Sequence, residues 1–171
     1  RLRGPLQLKG ASRDMKSAYR QLSTHPSQQH LVIVAVWDIV QNRWRFAIAN
    51  ALLFGLSGAV LHFNRVPTLL VAFMRRWFAV AAQAFFDDFR IVDLSCARGS
   101  AVKWFDKVMA WLGWRFDPEK NQKPTATLPL LGNIEDYSNC GATEELIIGP
   151  RPDRIVEILK DIAKHRISQH C

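Results

Sequence analysis

Apolar positions along this chain switch between two periods, and the switches mark its elements. Residues 31–37 (LVIVAVW) form a short, β-branched apolar run, which predicts a buried strand. Residues 44–49 alternate aromatic or aliphatic side chains with polar or small ones and suit a partner strand. Turn formers fill residues 38–43 between them, so a hairpin is the natural connection. Helical composition runs from Ser57 to about Ala82, interrupted by Pro67. Proline lacks a backbone donor and disfavours helix before it. The pattern therefore predicts one helix ending before Pro67 and a second starting at Thr68. Residues 84–86 and 89–92 are apolar and flank Asp87-Asp88, as two strands meeting at an acidic turn would.

Further on, Val102, Phe105, Val108, Met109 and Leu112 recur at three- and four-residue spacing. That places an amphipathic helix over residues 100–112, with Gly113 as its C-terminal cap. Short strands are expected at 114–116, 127–131 and 134–136, around a basic loop from Lys120 to Lys123. Residues 137–149 read as a loop holding one strand, 146–148. Pro150 and Pro152 mark a boundary before a last helix over 152–167, whose Ile155, Ile158, Leu159 and Ile162 share one face. The opening residues 1–12 are mixed and basic. Strands and helices in this order give an α+β fold, an antiparallel sheet of three or more strands backed by helices.

Composition narrows the partners. The 171 residues suffice for one ordinary domain, and 49% hydrophobic residues exclude wholesale disorder. Lys and Arg outnumber Asp and Glu by 23 to 15, a net charge of +8 that favours anionic partners such as nucleic acid or acidic lipid. Cys96, Cys140 and Cys171 are scattered, which argues against a disulfide framework and suits a reducing, intracellular setting, cytoplasmic or nuclear. His165, His170 and Cys171 cluster without a second group to complete a zinc site and read as tail residues. Residues 46–63 are apolar and about long enough to span a membrane. Asn50, Ser57 and His62 interrupt them, and Arg43, Arg45 and Arg65 flank them, so no span is expected. With no initiator Met and a motif close to Arg1, the chain is expected to be a fragment of a longer one.

The chemistry lies in the acids. Asp87 and Asp88 stand between Phe85-Phe86 and Phe89. Adjacent carboxylates among apolar strand residues are costly unless a cation or hydrogen bonds compensate them. An exposed Asp-Asp turn is the plainer alternative. Asp14, in the run RDMKSAYRQL, is alone an ordinary acid at a loop or helix start. Two-metal phosphoryl transfer needs carboxylates converging from different segments, on ions about 4 Å apart. An acid at a strand end and an acidic hairpin meeting in one sheet would answer that need, and Mg²⁺ favours such an all-oxygen site.

The segments Asp14 to Leu22 (DMKSAYRQL), Phe54 to Ala59 (FGLSGA) with Phe63-Asn64-Arg65, and Phe85-Phe86-Asp87-Asp88 resemble palm motifs of retrotransposon reverse transcriptases, of the gypsy-like or a related type. So do Leu112-Gly113-Trp114 with Glu119-Lys120 and Lys123-Pro124, and Leu130-Leu131-Gly132, in the family's order. The resemblance covers about residues 13–135. It implies a polymerase palm over residues 1–149, with the fingers largely missing, and a C-terminal helix over 150–171 that would open a thumb or connection. It further implies that Asp14, Asp87 and Asp88 are the catalytic, metal-binding carboxylates for two Mg²⁺ ions, with Mn²⁺ as a substitute. Tyr19 would lie beneath the incoming sugar and reject a 2′-hydroxyl. Phe54 and Gly55 would shape the nucleotide site, Lys120 or Lys123 would sit near the triphosphate, and Leu131-Gly132 would form the primer grip. Taken singly, Tyr19 reads as a core aromatic, Gly55 as a turn glycine, the lysines as a solvated loop and Gly132 as a bend. Val60 and Gly58 depart from the family's proline and asparagine, and Phe85 from its commoner tyrosine. Apart from the adjoining Arg13, only Arg1, Arg3 and Lys9 precede the first motif, where the family carries triphosphate-clamping Lys and Arg.

The implied function is RNA-directed DNA polymerase, adding a dNTP to a primer 3′-hydroxyl on an RNA or DNA template, with no membrane partner. The alternative is an inactive retroelement remnant that keeps the fold and binds nucleic acid non-specifically. A membrane protein built on residues 46–63 would leave the ordered motifs unexplained.

Overall fold

The computed structural model describes residues 6–168. In chain order its strands are β1 (Leu8–Asp14), β2 (Ile33–Asp38), β3 (Arg43–Ile48), β4 (Ala81–Phe85), β5 (Asp88–Leu94), β6 (Gln122–Thr125), β7 (Thr127–Leu130), β8 (Asn133–Asp136) and β9 (Ile147–Pro150). Its α-helices are α1 (Ala59–Phe78), α2 (Ser100–Trp111), α3 (Cys140–Thr143) and α4 (Pro152–Ser168). The main sheet is antiparallel with order β4-β5-β1-β6. The expected α+β class, antiparallel sheet with helices against it, is therefore what the chain forms.

β1 lies inside this sheet although its sequence, LKGASRD, carries no apolar alternation. Its four residues Gly10 to Arg13 are all buried. Being internal, the strand is buried whatever its hydropathy, and small side chains are what such a crowded position admits. The buried Arg13 is compensated: its guanidinium donates to both Asp106 oxygens, at 2.7 and 2.8 Å, and to the carbonyls of Ser12 and Gln122. β1 pairs with β5 from Leu8↔Leu94 to Asp14↔Asp88, and β5 folds back on β4 from Ala81↔Val92 to Phe85↔Asp88.

α1 packs on β4 and α2 on β5. Phe63, Phe89, Phe105, Met74, Ile91 and Met109 are the large side chains sealed between helices and sheet. The interruption expected at Pro67 does not occur: α1 is continuous, with Pro67 inside it. Ala59, Phe63, Pro67, Leu70 and Met74 form one buried stripe at three- and four-residue spacing. Burying that stripe outweighs the one hydrogen bond proline cannot make, about 3 kcal/mol in a helix interior. The next residue, Thr68, also donates its hydroxyl to the Asn64 carbonyl, 2.8 Å. The helix also stops earlier than composition implied, at Phe78, because Ala81 and Ala82 belong to β4.

Residues 31–37 are expected to be buried, but apart from Val32, which is buried, and the half-buried Val34, they are exposed. β2 pairs only with β3 in a separate two-stranded sheet, leaving Ile33, Val36, Trp37, Trp44, Phe46 and Ile48 between 44 and 72% exposed. Their apolar character is satisfied by each other, as in the Trp37–Trp44 edge contact at 5.3 Å, rather than by a covering layer. Two smaller corrections concern residues 114–123. Instead of a strand at 114–116 there is a single bridge, Met15↔Phe116, and Lys123 lies in β6 rather than in a loop. The segment expected to be a loop, 137–149, also holds the short α3. Residues 46–63 divide among β3, a loop and the start of α1, and among the described residues no helix is long and apolar enough to cross a membrane. Arg1, Arg3, His170 and Cys171 lie outside the described residues.

A third sheet, β7-β8-β9, is joined to the main one by the ring of Tyr137. A Cβ at Gly10 would stand 2.5 Å from Tyr137 Cε2 and 3.0 Å from Leu128 Cδ2. Gly10→Ala is therefore expected to lower stability by about 1–3 kcal/mol, the usual cost of overpacking. Urea denaturation would measure it, and an unchanged midpoint would show that the ring is not locked there.

Candidate active site

The main sheet brings together at one end the acids that lie far apart in sequence. Asp14 is the last residue of β1, and Asp88, its direct antiparallel partner, is the first of β5. Asp87 occupies the turn between β4 and β5, and its carbonyl accepts the Met15 amide at 2.9 Å. The turn is tight enough to hold Phe86 in the left-handed region, φ 54°. A bulky residue there is strained by about 1–2 kcal/mol. Packing of the half-buried Phe86 against the core, with the Phe85 ring 4.8 Å away, holds it in place.

Asp14 and Asp87 open into a cleft of about 1010 Å³. Tyr19, Phe54 and Lys120 line the same cleft. Tyr19 comes from a 3-10 turn, Ala18–Gln21, and its ring is fixed on two sides. It stacks on the buried Phe63 at 4.4 Å and meets Phe54 edge-on at 5.3 Å. Gln21 secures this segment by donating to the carbonyls of Lys16 and Arg115 and accepting the Arg115 amide.

The electrostatics are those of crowded acids. Burial first, then the charges of Asp87 and Asp14, hold the Asp88 carboxyl above its ordinary pKa, and Lys120 works against them. Lys120 Nζ lies 3.2 Å from each carboxylate oxygen of Asp14. Its own pKa is raised, chiefly by that hydrogen bond and charge. Among the described residues no three Asp, Glu, His or Cys side chains are arranged as a ready metal-binding group. The donor chemistry nevertheless fits a hard cation: all-oxygen carboxylates whose mutual repulsion a divalent ion would relieve.

Not every residue singled out in the sequence lines this cleft: Asp88, half-buried at the start of β5, does not. Gly55 sits in an exposed turn with open space around it, φ 90°, and is not among the lining residues. Lys123 is exposed on β6. Leu131 and Gly132 form the β7–β8 turn, with φ 51° and 80°. The Gly132 carbonyl accepts the Arg151 amide at 3.2 Å, so the turn is tied to the start of α4.

Three charged lining residues have no role assigned from the sequence. Lys16 and Arg20 flank Tyr19 on the cleft wall, and Asp117 donates its amide to the Asp14 carbonyl at 2.9 Å. The two cations were within the first motif, and their spacing around Tyr19 was the available signal. Asp117 had none, because its proximity depends on a chain reversal after α2.

No family model matches the chain, and no curated protein matches it. Among solved structures it is similar to the foamy viral protease-reverse transcriptase in complex with an RNA/DNA hybrid, at TM-score 0.60 and 12% identity. The match covers 75% of this chain and 16% of that one, so this chain corresponds to a small part of that protein. At that identity the likeness establishes a reverse-transcriptase-like fold.

Proposed function

We propose that this chain is the palm of an RNA-directed DNA polymerase of retrotransposon type, with residues 1–149 as the palm and 150–171 leading into the next segment. One observation carries the reading: Asp14, from a strand end, and Asp87, from the adjoining hairpin turn, share a cleft with Tyr19 and Lys120. The reverse-transcriptase-like fold supports it, as does the RNA/DNA hybrid bound by the foamy viral protein.

Asp14 and Asp87, with Asp88 completing the acidic cluster, would hold two Mg²⁺ or Mn²⁺ ions, which supply charge neutralisation at the attacking and leaving oxygens. The chain's own residues do the rest. Lys120, from one wall of the cleft, faces an entering triphosphate as a mobile cation, and Lys123 stands three residues further along. Tyr19, braced by Phe63, presents a fixed ring to the sugar, while Phe54 bounds the nucleotide, with the Gly55 turn outside the cleft. The Leu131-Gly132 turn places the primer end. Positioning of this kind is a major part of catalysis in phosphoryl transfer.

Primer extension on an RNA template with Mg²⁺ and deoxynucleotides tests this directly. Tyr19→Ala is expected to raise ribonucleotide incorporation relative to deoxynucleotide by about tenfold or more, the scale of removing a clash worth 1–3 kcal/mol. An unchanged ratio would take Tyr19 out of the sugar site. The second reading, a remnant that binds nucleic acid without catalysis, draws on the ion-paired state of Asp14. It requires metal-independent binding that falls steeply with salt, and no extension.

A further inference from the structure

Asp14 already has a counter-charge. Lys120 Nζ sits equidistant from both of its oxygens, 3.2 Å from each, on the line where a cation shared by the carboxylate would lie. The two partners differ in how firmly they are held. The Asp14 side chain is 18% exposed and belongs to an internal strand. The Lys120 side chain is 61% exposed and comes from the loop between α2 and β6. That loop is anchored to β1 through the Asp117 amide on the Asp14 carbonyl, one peptide group away from the carboxylate. The ammonium is thus delivered to a fixed acid on a flexible four-carbon stem, and no other hydrogen bond of its own restrains it among the described residues.

An exposed lysine–carboxylate pair is weak, and a strongly hydrated ammonium leaves it at little cost. Lys16 and Arg20 also line the cleft, but the charges that act on Lys120 itself are acidic. Asp87, Asp88 and Asp117 add three carboxylates at this end of the sheet, so a monovalent ammonium leaves the cluster negative. We propose that Lys120 is a displaceable counter-ion: in the metal-free chain it occupies Asp14, and a divalent cation must compete with it for that carboxylate. This rests on the metal-binding reading of the acids given above. It assigns Lys120 a role before nucleotide arrives, in setting the divalent concentration at which the site fills.

The test uses the chain alone and Mn²⁺ as the probe, counting free Mn²⁺ by electron paramagnetic resonance at low ionic strength. Lys120→Met keeps the length of the stem and removes the charge. It is expected to bind Mn²⁺ about threefold tighter than the unaltered chain, the scale of losing one exposed ion pair. Asp14→Asn should weaken binding in either background. Independently of any variant, Mg²⁺ titration should shift the Lys120 Cε–Hε resonance of the unaltered chain as its ammonium leaves Asp14. Equal or weaker Mn²⁺ affinity in Lys120→Met, or a lysine resonance that ignores Mg²⁺, overturns the counter-ion role and leaves the metal site standing. Absence of Mn²⁺ binding in all proteins overturns the metal site itself, and the counter-ion role with it.

Discussion

Asp87→Ala is expected to lower primer extension on an RNA template by about a thousandfold or more, with the fold intact. A carboxylate that shares divalent ions contributes several kcal/mol of charge stabilisation during phosphoryl transfer, and each 1.36 kcal/mol is tenfold in rate. The structural cost is small because what Asp87 gives the fold is its backbone. Its carbonyl holds the Met15 amide at 2.9 Å, and alanine keeps that bond. Burial is the main cause of the raised Asp88 pKa, and removing the Asp87 charge relieves the part that repulsion adds. The melting temperature should therefore hold or rise slightly. Asp117→Ala is the control. Asp117 lines the same cleft, but its contact with Asp14 is made by its amide, so its variant should lose less than tenfold. If Asp87→Ala extends primers within tenfold of the unaltered chain, or if both variants fall equally, the assignment of the acids is wrong.

Asp87 and Asp88 were legible in sequence because they break a local rule, whereas Asp14 stood out only through the resemblance of its motif. Charges between apolar strand residues conflict with their surroundings, and such conflicts concentrate where function is served. The hairpin around Asp87-Asp88, the α2 stripe and the turn at Leu131-Gly132 were legible for the same reason as any periodic element: short-range pattern and turn chemistry determine them. What stayed hidden depends on tertiary placement. β1 has no period because an internal strand needs none, and its Arg13 becomes tolerable only when Asp106, 93 residues away, closes on it. Pro67 reads as a break until the stripe from Ala59 to Met74 is seen to be buried as one unit. Residues 31–37 look like core, yet β2 and β3 form a sheet of their own. The Tyr19–Phe63 stack joins two motifs whose spacing along the chain gives no hint of contact.

The same reasoning identifies the most consequential polar cluster outside the cleft. Glu135 on β8 is buried, its side chain 8% exposed. It accepts from Arg90 of β5 on one oxygen and from the Tyr137 hydroxyl on the other. Gln83 of β4 accepts from the second arm of Arg90. The cluster therefore ties the sheet bearing Asp14 and Asp88 to the one bearing the Leu131-Gly132 turn, and burial together with Glu135 pushes the Tyr137 hydroxyl pKa well up. Glu135→Leu would leave Arg90, 23% exposed, without its main partner and Tyr137, 2% exposed, with an orphaned hydroxyl. Breaking a fully buried pair costs about 3–5 kcal/mol, and the partial exposure of Arg90 reduces that to about 2–3. Replacing Arg90 by Met and Tyr137 by Phe as well removes every stranded group. The triple variant is expected to recover at least about 1 kcal/mol of the Glu135→Leu loss, because partners in one network do not add. Urea denaturation of the single and triple variants measures it. Additive losses would mean that the three side chains stabilise the chain independently, and that the two sheets are held together by the Tyr137 ring packed over Gly10 rather than by the charges beneath it.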